Sequence, residues 1–352
     1  VDEENLAPGE NNYLACLCAE KHTLGLAFLD ISTGEFQVSD FTDRDYFFTA
    51  ISGLDFKELI LPRNFPDRIL LNSIEAQMPQ LRINALDEDY FLTGQAGEAL
   101  QRIFSTEALE ACGIREHPAA MKASGAILKY VNETQKINPQ HISEIKWYST
   151  EKFLLLDDTA RRNLEIFTSI QNNTTAGSLF SLFSETQTPM GTRRLRWWMS
   201  YPLVDAEKIK TRLAAVGELK DDHIRRTNLR KTLSRIYDLE RLAGRVSLRV
   251  ANPRDLVALK NSLLAVPELK SLLNDCTAPA ICAICSQITE MSDVVDVISR
   301  AIMDNPPPKI QDGGFIAPGY DEELDKLRSI SRDGKQWIAS LEAEERKKTG
   351  IN

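Results

Sequence analysis

The sequence predicts two domains of different class: an α/β unit at the N-terminus, then a mainly α-helical region. Three observations carry this. Short apolar runs of strand length fill the first 62 residues, whereas beyond residue 140 apolar side chains recur at helical spacing almost throughout. Residues 1–140 carry 22 acidic against 11 basic side chains, while 161–254 carry 18 Lys/Arg against 9 Asp/Glu, so the two parts meet different surroundings. A chain of 352 residues also exceeds the ~250–300 at which one core stops growing. At 43% hydrophobic and 26% charged, the composition is that of a soluble globular protein. No run reaches the ~18 apolar residues of a membrane span. Val1-Asp2-Glu3-Glu4 lacks the basic and apolar stretches of a secretory leader. A cytoplasmic protein without membrane partners is expected, and the missing initiator Met suggests a piece of a longer one.

The first elements are strands. Tyr13 to Ala19 is apolar on both faces, as in a strand covered on both sides. Gly25 to Asp30 follows a short polar turn, and Ser32-Thr33-Gly34 turns the chain into Glu35 to Ser39, where Phe36 and Val38 alternate with polar residues. This spacing makes an antiparallel meander. Phe47, Ile51 and Leu54 behind a capping Asp43 predict a helix, and Lys57 to Pro62 returns as a strand. Three strands, a helix and a strand form an α/β unit of ribonuclease-H-like order. Two helical patterns follow, one through Tyr90, Leu100, Ile103 and Phe104, the other opening at Pro118. The loop 137–141 is the expected domain boundary, where Pro and polar residues break the period.

The second region reads as helices. Asp157 or Asp158 caps one carrying Leu164, Phe167 and Ile170. Thr188-Pro189 opens another that must stop before Pro202, and Asp205 caps one with Ile209, Leu213 and Val216 on a single face. Tyr237 to Leu248 and Leu256 to Leu264 repeat the pattern around Asn252-Pro253. After Pro306-Pro307-Pro308 and Asp312-Gly313-Gly314, Asp321 to Lys348 reads as one helix of roughly 42 Å. Its far end is too polar to bury and needs a second strand.

Candidate chemistry is sparse. Gly334-Lys335 is followed by Gln336, so no phosphate-binding loop is present. A metal nuclease needs clustered carboxylates on the first and fourth strands, but the first has none before Glu20 and Asp30 suits turn capping. That alternative is disfavoured. The six cysteines read as reduced core residues, and Cys282-Ala-Ile-Cys285 as helix packing, because a zinc site wants a second pair of soft ligands. His22, His117, His141 and His223 stand singly and read as solvated. No catalytic, metal or cofactor residue is assigned. Arg241, Arg245 and Arg249, spaced by four, form a stripe on one helix, and Arg193, Arg194 and Arg196 cluster on another. Two readings stand: a basic wall facing a DNA backbone through Arg193, Arg194, Arg241, Arg245 and Arg249, or a face paired with carboxylates such as Asp238 and Glu240. Of Trp197 and Trp198, about 100° apart on a helix, one is core and the other a domain contact.

Asp157-Asp158-Thr159-Ala160-Arg161-Arg162-Asn163-Leu164-Glu165, Thr188-Pro189-Met190-Gly191-Thr192-Arg193, Trp198-Met199-Ser200-Tyr201-Pro202-Leu203, Asp238-Leu239-Glu240-Arg241-Leu242 and Asn252-Pro253-Arg254-Asp255-Leu256 closely resemble the lever region of the MutS family of DNA mismatch-recognition proteins. Asn12-Tyr13-Leu14-Ala15 and Leu29-Asp30-Ile31-Ser32-Thr33-Gly34 resemble its connector. The resemblance implies a leader at 1–9, a connector at 10–136 and a helical core, or lever, domain at 137–352 truncated before the clamp. It implies transmission between mismatch-binding, clamp and ATPase domains, with MutL docking through the connector. Mismatched double-stranded DNA and a homodimer are implied for the full-length protein. ATP and Mg are implied for an ATPase domain that has no counterpart in this chain, which therefore carries no catalytic site.

Overall fold

Strong β-formers with buried faces on both sides build the first layer. The computed structural model describes residues 6–135 and 141–349. Strands β1 (Tyr13–Glu20), β2 (Thr23–Asp30) and β3 (Glu35–Phe41) form the antiparallel meander, with Leu14 opposite Leu29 and Leu29 opposite Phe36. Helix α1 (Arg44–Ile51) is capped by the Asp43 carboxylate, which accepts from the Tyr46 amide, and leads to β4 (Phe56–Pro62), parallel to β1. Helix α2 (Arg68–Gln77) and β5 (Arg82–Leu86) follow. Then come α3 (Thr93–Gln101), α4 (Thr106–Cys112), α5 (Pro118–Gln135) and β6 (Ile145–Trp147). The sheet order is β5-β4-β1-β2-β3-β6, of ribonuclease-H-like order as expected, with two parallel strands beyond the four predicted, β5 beside β4 and β6 beside β3.

Alternation along β1 divides the core. Tyr13, Ala15 and Leu17 face a layer with α1, α2, Tyr148 and Tyr201, while Cys16 and Cys18 face α5 with Leu100, Phe104 and Leu109. Helix α5 lies so close that a Cβ on Gly25 would stand 2.1 Å from the Ala119 carbonyl carbon.

The rest is mainly helical: α6 (Asp158–Asn163), α7 (Leu179–Phe183), α8 (Pro189–Ser200), α9 (Ala206–Asp221), α10 (His223–Leu233), α11 (Leu239–Ser247), α12 (Pro253–Leu264), α13 (Val266–Leu273), α14 (Pro279–Gln287), α15 (Ser292–Ala301) and α16 (Glu322–Thr349). The chain divides into two compact units, residues 1–251 with 265–289, and residues 252–264 with 290–352. In the first, α9, α10, α13 and α14 share a core of Leu229, Leu273, Ile281 and Cys285. In the second, buried Lys260 of α12 donates to Asp304 at 2.6 Å, and Ile302 bridges to Ile316.

Several expectations are corrected. The helix after Asp157 stops at Asn163 because the Glu165 carboxylate caps the Ile170 amide at 2.6 Å and holds a turn; Glu165 takes φ +48° and Leu164 and Ile170 are exposed. Ile209, Leu213 and Val216 of α9 face outward, and the helix packs through half-buried Ala215 and Leu219 instead. Cys282 is exposed although Cys285 is buried. His141 is half-buried against the Ile31 carbonyl at 2.6 Å, and His117 bonds Asp40 at 3.0 Å, so neither is simply solvated. Strands β5 and β6 and helices α2, α4, α7, α10, α13 and α15 have no counterpart among the elements the sequence predicts. The expected boundary loop lies, apart from His141, outside the described residues.

Candidate functional site

The N-terminus of α11 meets α8 around one buried guanidinium. Arg193 is on α8, whose first turn is set by Pro189 and by Thr188 Oγ1 accepting from the Gly191 amide at 3.1 Å. Only 5% exposed, it donates from Nη1 to Asp238 Oδ2 at 2.6 Å and from Nη2 to Asp238 Oδ1 at 2.8 Å, a two-pronged pair. Nη2 also donates to Glu240 Oε2 at 2.6 Å, and Nη1 to the Pro8 carbonyl at 2.9 Å. Burial pulls its pKa down, but the bonds to Asp238 and Glu240 outweigh that and the net shift is upward. Burial alone would raise Asp238; Arg193 instead holds it below the usual carboxylate range. Asp238 also caps α11, its Oδ1 accepting from the Arg241 amide at 3.3 Å.

Arg241, one turn into α11, is also buried, with Nη1 donating to the Ala7 carbonyl at 3.2 Å and Nη2 to the Glu10 carbonyl at 2.7 Å. Arg193 and Arg241 therefore do not face outward, and the carboxylate-paired reading describes Arg193. The stripe through Arg249 does not form. Helix α11 ends at Ser247, and Arg249 takes φ +59° beyond it. Arg245 is half-buried, while Arg194 and Arg249 are exposed. Arg196 pairs with Glu10 at 3.1 Å and lies over the Phe180 ring at 4.5 Å. Trp197 is half-buried and packs against the core, 4.6 Å from Tyr201; Trp198 is 40% exposed with Arg212 3.9 Å over its ring.

Carboxylates complete the junction on the sheet side. Asp30, fully buried, accepts from the Ser32 amide at 2.9 Å and hydroxyl at 2.7 Å and from the Asn12 amide at 3.0 Å, the turn-capping role its position suggests. Glu35 accepts from Tyr13 and Asn11 at 2.8 Å and Gln37 at 2.5 Å; burial nonetheless raises its pKa. Among the described residues no group of three His, Cys, Asp or Glu is arranged to hold a metal.

One buried tie escaped the sequence altogether. Arg161 of α6 donates from Nε to the Leu156 carbonyl at 2.9 Å and Ser52 Oγ at 3.2 Å, and from Nη2 to the Ser200 carbonyl at 2.7 Å. It thus joins the segment after α1 to α8. Nothing in its local sequence signals the tie, because two of its three acceptors, Ser200 and Ser52, lie 39 and 109 residues away.

Comparison with known proteins follows the same division. A model described as MutS domain II matches residues 12–143, and one described as MutS domain III matches residues 159–348, more than half the chain. The chain belongs to the MutS family. "DNA mismatch repair protein MutS" of Desulfatibacillum aliphaticivorans is 37% identical over 354 residues, covering 100% of this chain and 40% of that protein. Those of Ruminiclostridium cellulolyticum and Brevibacillus brevis are 39% and 38% identical, covering 97% and 98% of this chain and 39% and 38% of theirs. The chain thus spans about two fifths of the length of the MutS relatives it matches. The mixed α/β sheet region and the helical region correspond to MutS domains II and III. No helix among the described residues is long and apolar enough to cross a membrane.

Proposed function

We propose that this chain is the relay portion of a cytoplasmic DNA mismatch-repair ATPase, passing conformational change between parts that recognise mismatched duplex DNA, clamp it and hydrolyse ATP. The observation that carries the reading is the junction around Arg193 and Asp238, which ties α8 to the start of α11 through buried, charge-assisted bonds. Packed elements joined this way move together, so displacement at one end reaches the other. The division into a connector at 10–136 and a lever at 137–352, MutL docking on the connector and homodimerisation of the full-length protein belong to the same proposal. ATP and Mg would act in a domain other than these two. Arg194 and Arg249, the exposed members of the arginine set, are the proposed contacts to DNA phosphate.

Titrating the chain with matched and mismatched duplexes across a salt series tests this. Weak binding, equal for both duplexes, is expected, with no ATP turnover. Arg194→Ala and Arg249→Ala should each reduce the slope of log K against log salt by about 0.9. Salt-resistant, mismatch-selective binding by this chain would refute the relay assignment.

A further inference from the structure

We propose that residues 7–12 form a releasable strap, held by an arginine latch, that locks the start of β1 to helices α8 and α11. This deepens the relay reading, on which it rests for its purpose only, by naming contacts through which helix motion would reach the sheet.

Polar bonds grip the strap from both sides. From the helices, Arg241 holds the carbonyls of Ala7 and Glu10, Arg193 holds that of Pro8, and Arg196 pairs with the Glu10 carboxylate. From the sheet, Asp30 accepts from the Asn12 amide and Glu35 from the Asn11 side chain. The strap lies flat on α8: a Cβ on Gly9 would stand 2.7 Å from Thr192 Cγ2. Ala7 and Pro8 are exposed and residues 9–12 only half-buried, whereas Tyr13 begins the core. Lifting the strap therefore pulls no side chain of its own out of the core.

The latch outlives its cargo. With the strap gone, Arg193 keeps both bonds to Asp238 and its bond to Glu240, so the join between α8 and α11 persists. Latched and released states then differ by the bonds to three main-chain carbonyls, the Arg196–Glu10 ion pair and the Asn11 and Asn12 bonds, polar contacts for which water can substitute, which is the kind of local opening that precedes global unfolding.

A protease that cuts after glutamate reads the latch directly, because the Glu10 carbonyl at the scissile bond is the one Arg241 Nη2 holds at 2.7 Å. Arg241→Met and, independently, Gly9→Ala should each raise cleavage at Glu10 and hydrogen exchange at the Asn12 amide about tenfold or more, with amides of β1–β3 unchanged. Thr192→Ser in the Gly9→Ala background removes the opposing methyl, keeps the hydroxyl, and should restore protection. The proposal is overturned if neither variant speeds cleavage, or if the increase spreads equally over β1–β3, which is unfolding rather than release. Failure of the relay reading would instead appear in DNA binding and leave these rates as they are.

Discussion

Removing Asp238 should be among the most damaging single changes outside the sheet core. Asp238→Ala strips the two-pronged bond from a guanidinium that is 5% exposed, leaving Glu240, itself half-exposed, and one carbonyl. Breaking a buried pair from one side costs about 3–5 kcal/mol. The lost helix cap adds about 0.5 kcal/mol, the low end of the usual range because its bond is long at 3.3 Å. About 4 kcal/mol of local stability is therefore expected to go, read from hydrogen exchange of α8 and α11 amides at neutral pH. Arg193→Met should cost about 3 kcal/mol, because Asp238 then loses its two-pronged partner while keeping Arg241, 3.9 Å away, and its cap. The double variant should cost at least about 2 kcal/mol less than the two singles together, since neither charge is left stranded. The pH dependence has a definite sign. Asp238 has its folded pKa depressed, so its contribution is present above the unfolded value of about 3.9 and is lost as pH falls through the folded one. A loss below about 1 kcal/mol in Asp238→Ala, or simple additivity in the cycle, would refute this account of the junction.

Glu35 behaves oppositely: burial raises its folded pKa, so its ionisation weakens the fold as pH rises from the unfolded value of about 4.3 through the folded one. Glu35→Gln should flatten that part of the stability profile and gain stability at neutral pH, measured by denaturation at pH 4 and pH 7; an unchanged slope would count against it. Helix α16 exposes Leu327, Ile330, Trp337, Ile338 and Leu341, so packing holds little of it. In dilute solution its last two turns should exchange their amides within a few-fold of an unstructured peptide, and strong protection there would contradict the reading.

Local chemistry made much of the fold legible. The meander, α1, β4, α5, α8 and α16 were visible because turn residues, caps and apolar period agree within each segment. Where those cues compete, the reading failed. Leu164, Phe167 and Ile170 have helical spacing, yet Glu165 captures the Ile170 amide and ends the helix early. β6 is only three residues long and exists because β3 offers it an edge, which no local pattern records.

The arginines mark the same limit. Their spacing and the nine-charge local excess single out Arg193, Arg194, Arg196, Arg241, Arg245 and Arg249 as one group. Which are buried depends on partners up to 234 residues away, such as Ala7 for Arg241. Family, domain order and the starts of α1, α5, α6, α8, α9 and α16 were thus written into neighbouring residues, because caps, prolines and hydrophobic period act within a turn or two. Only the folded chain decided which cations point to solvent, since burial is a property of what packs against a residue and an arginine's charge looks the same in either place.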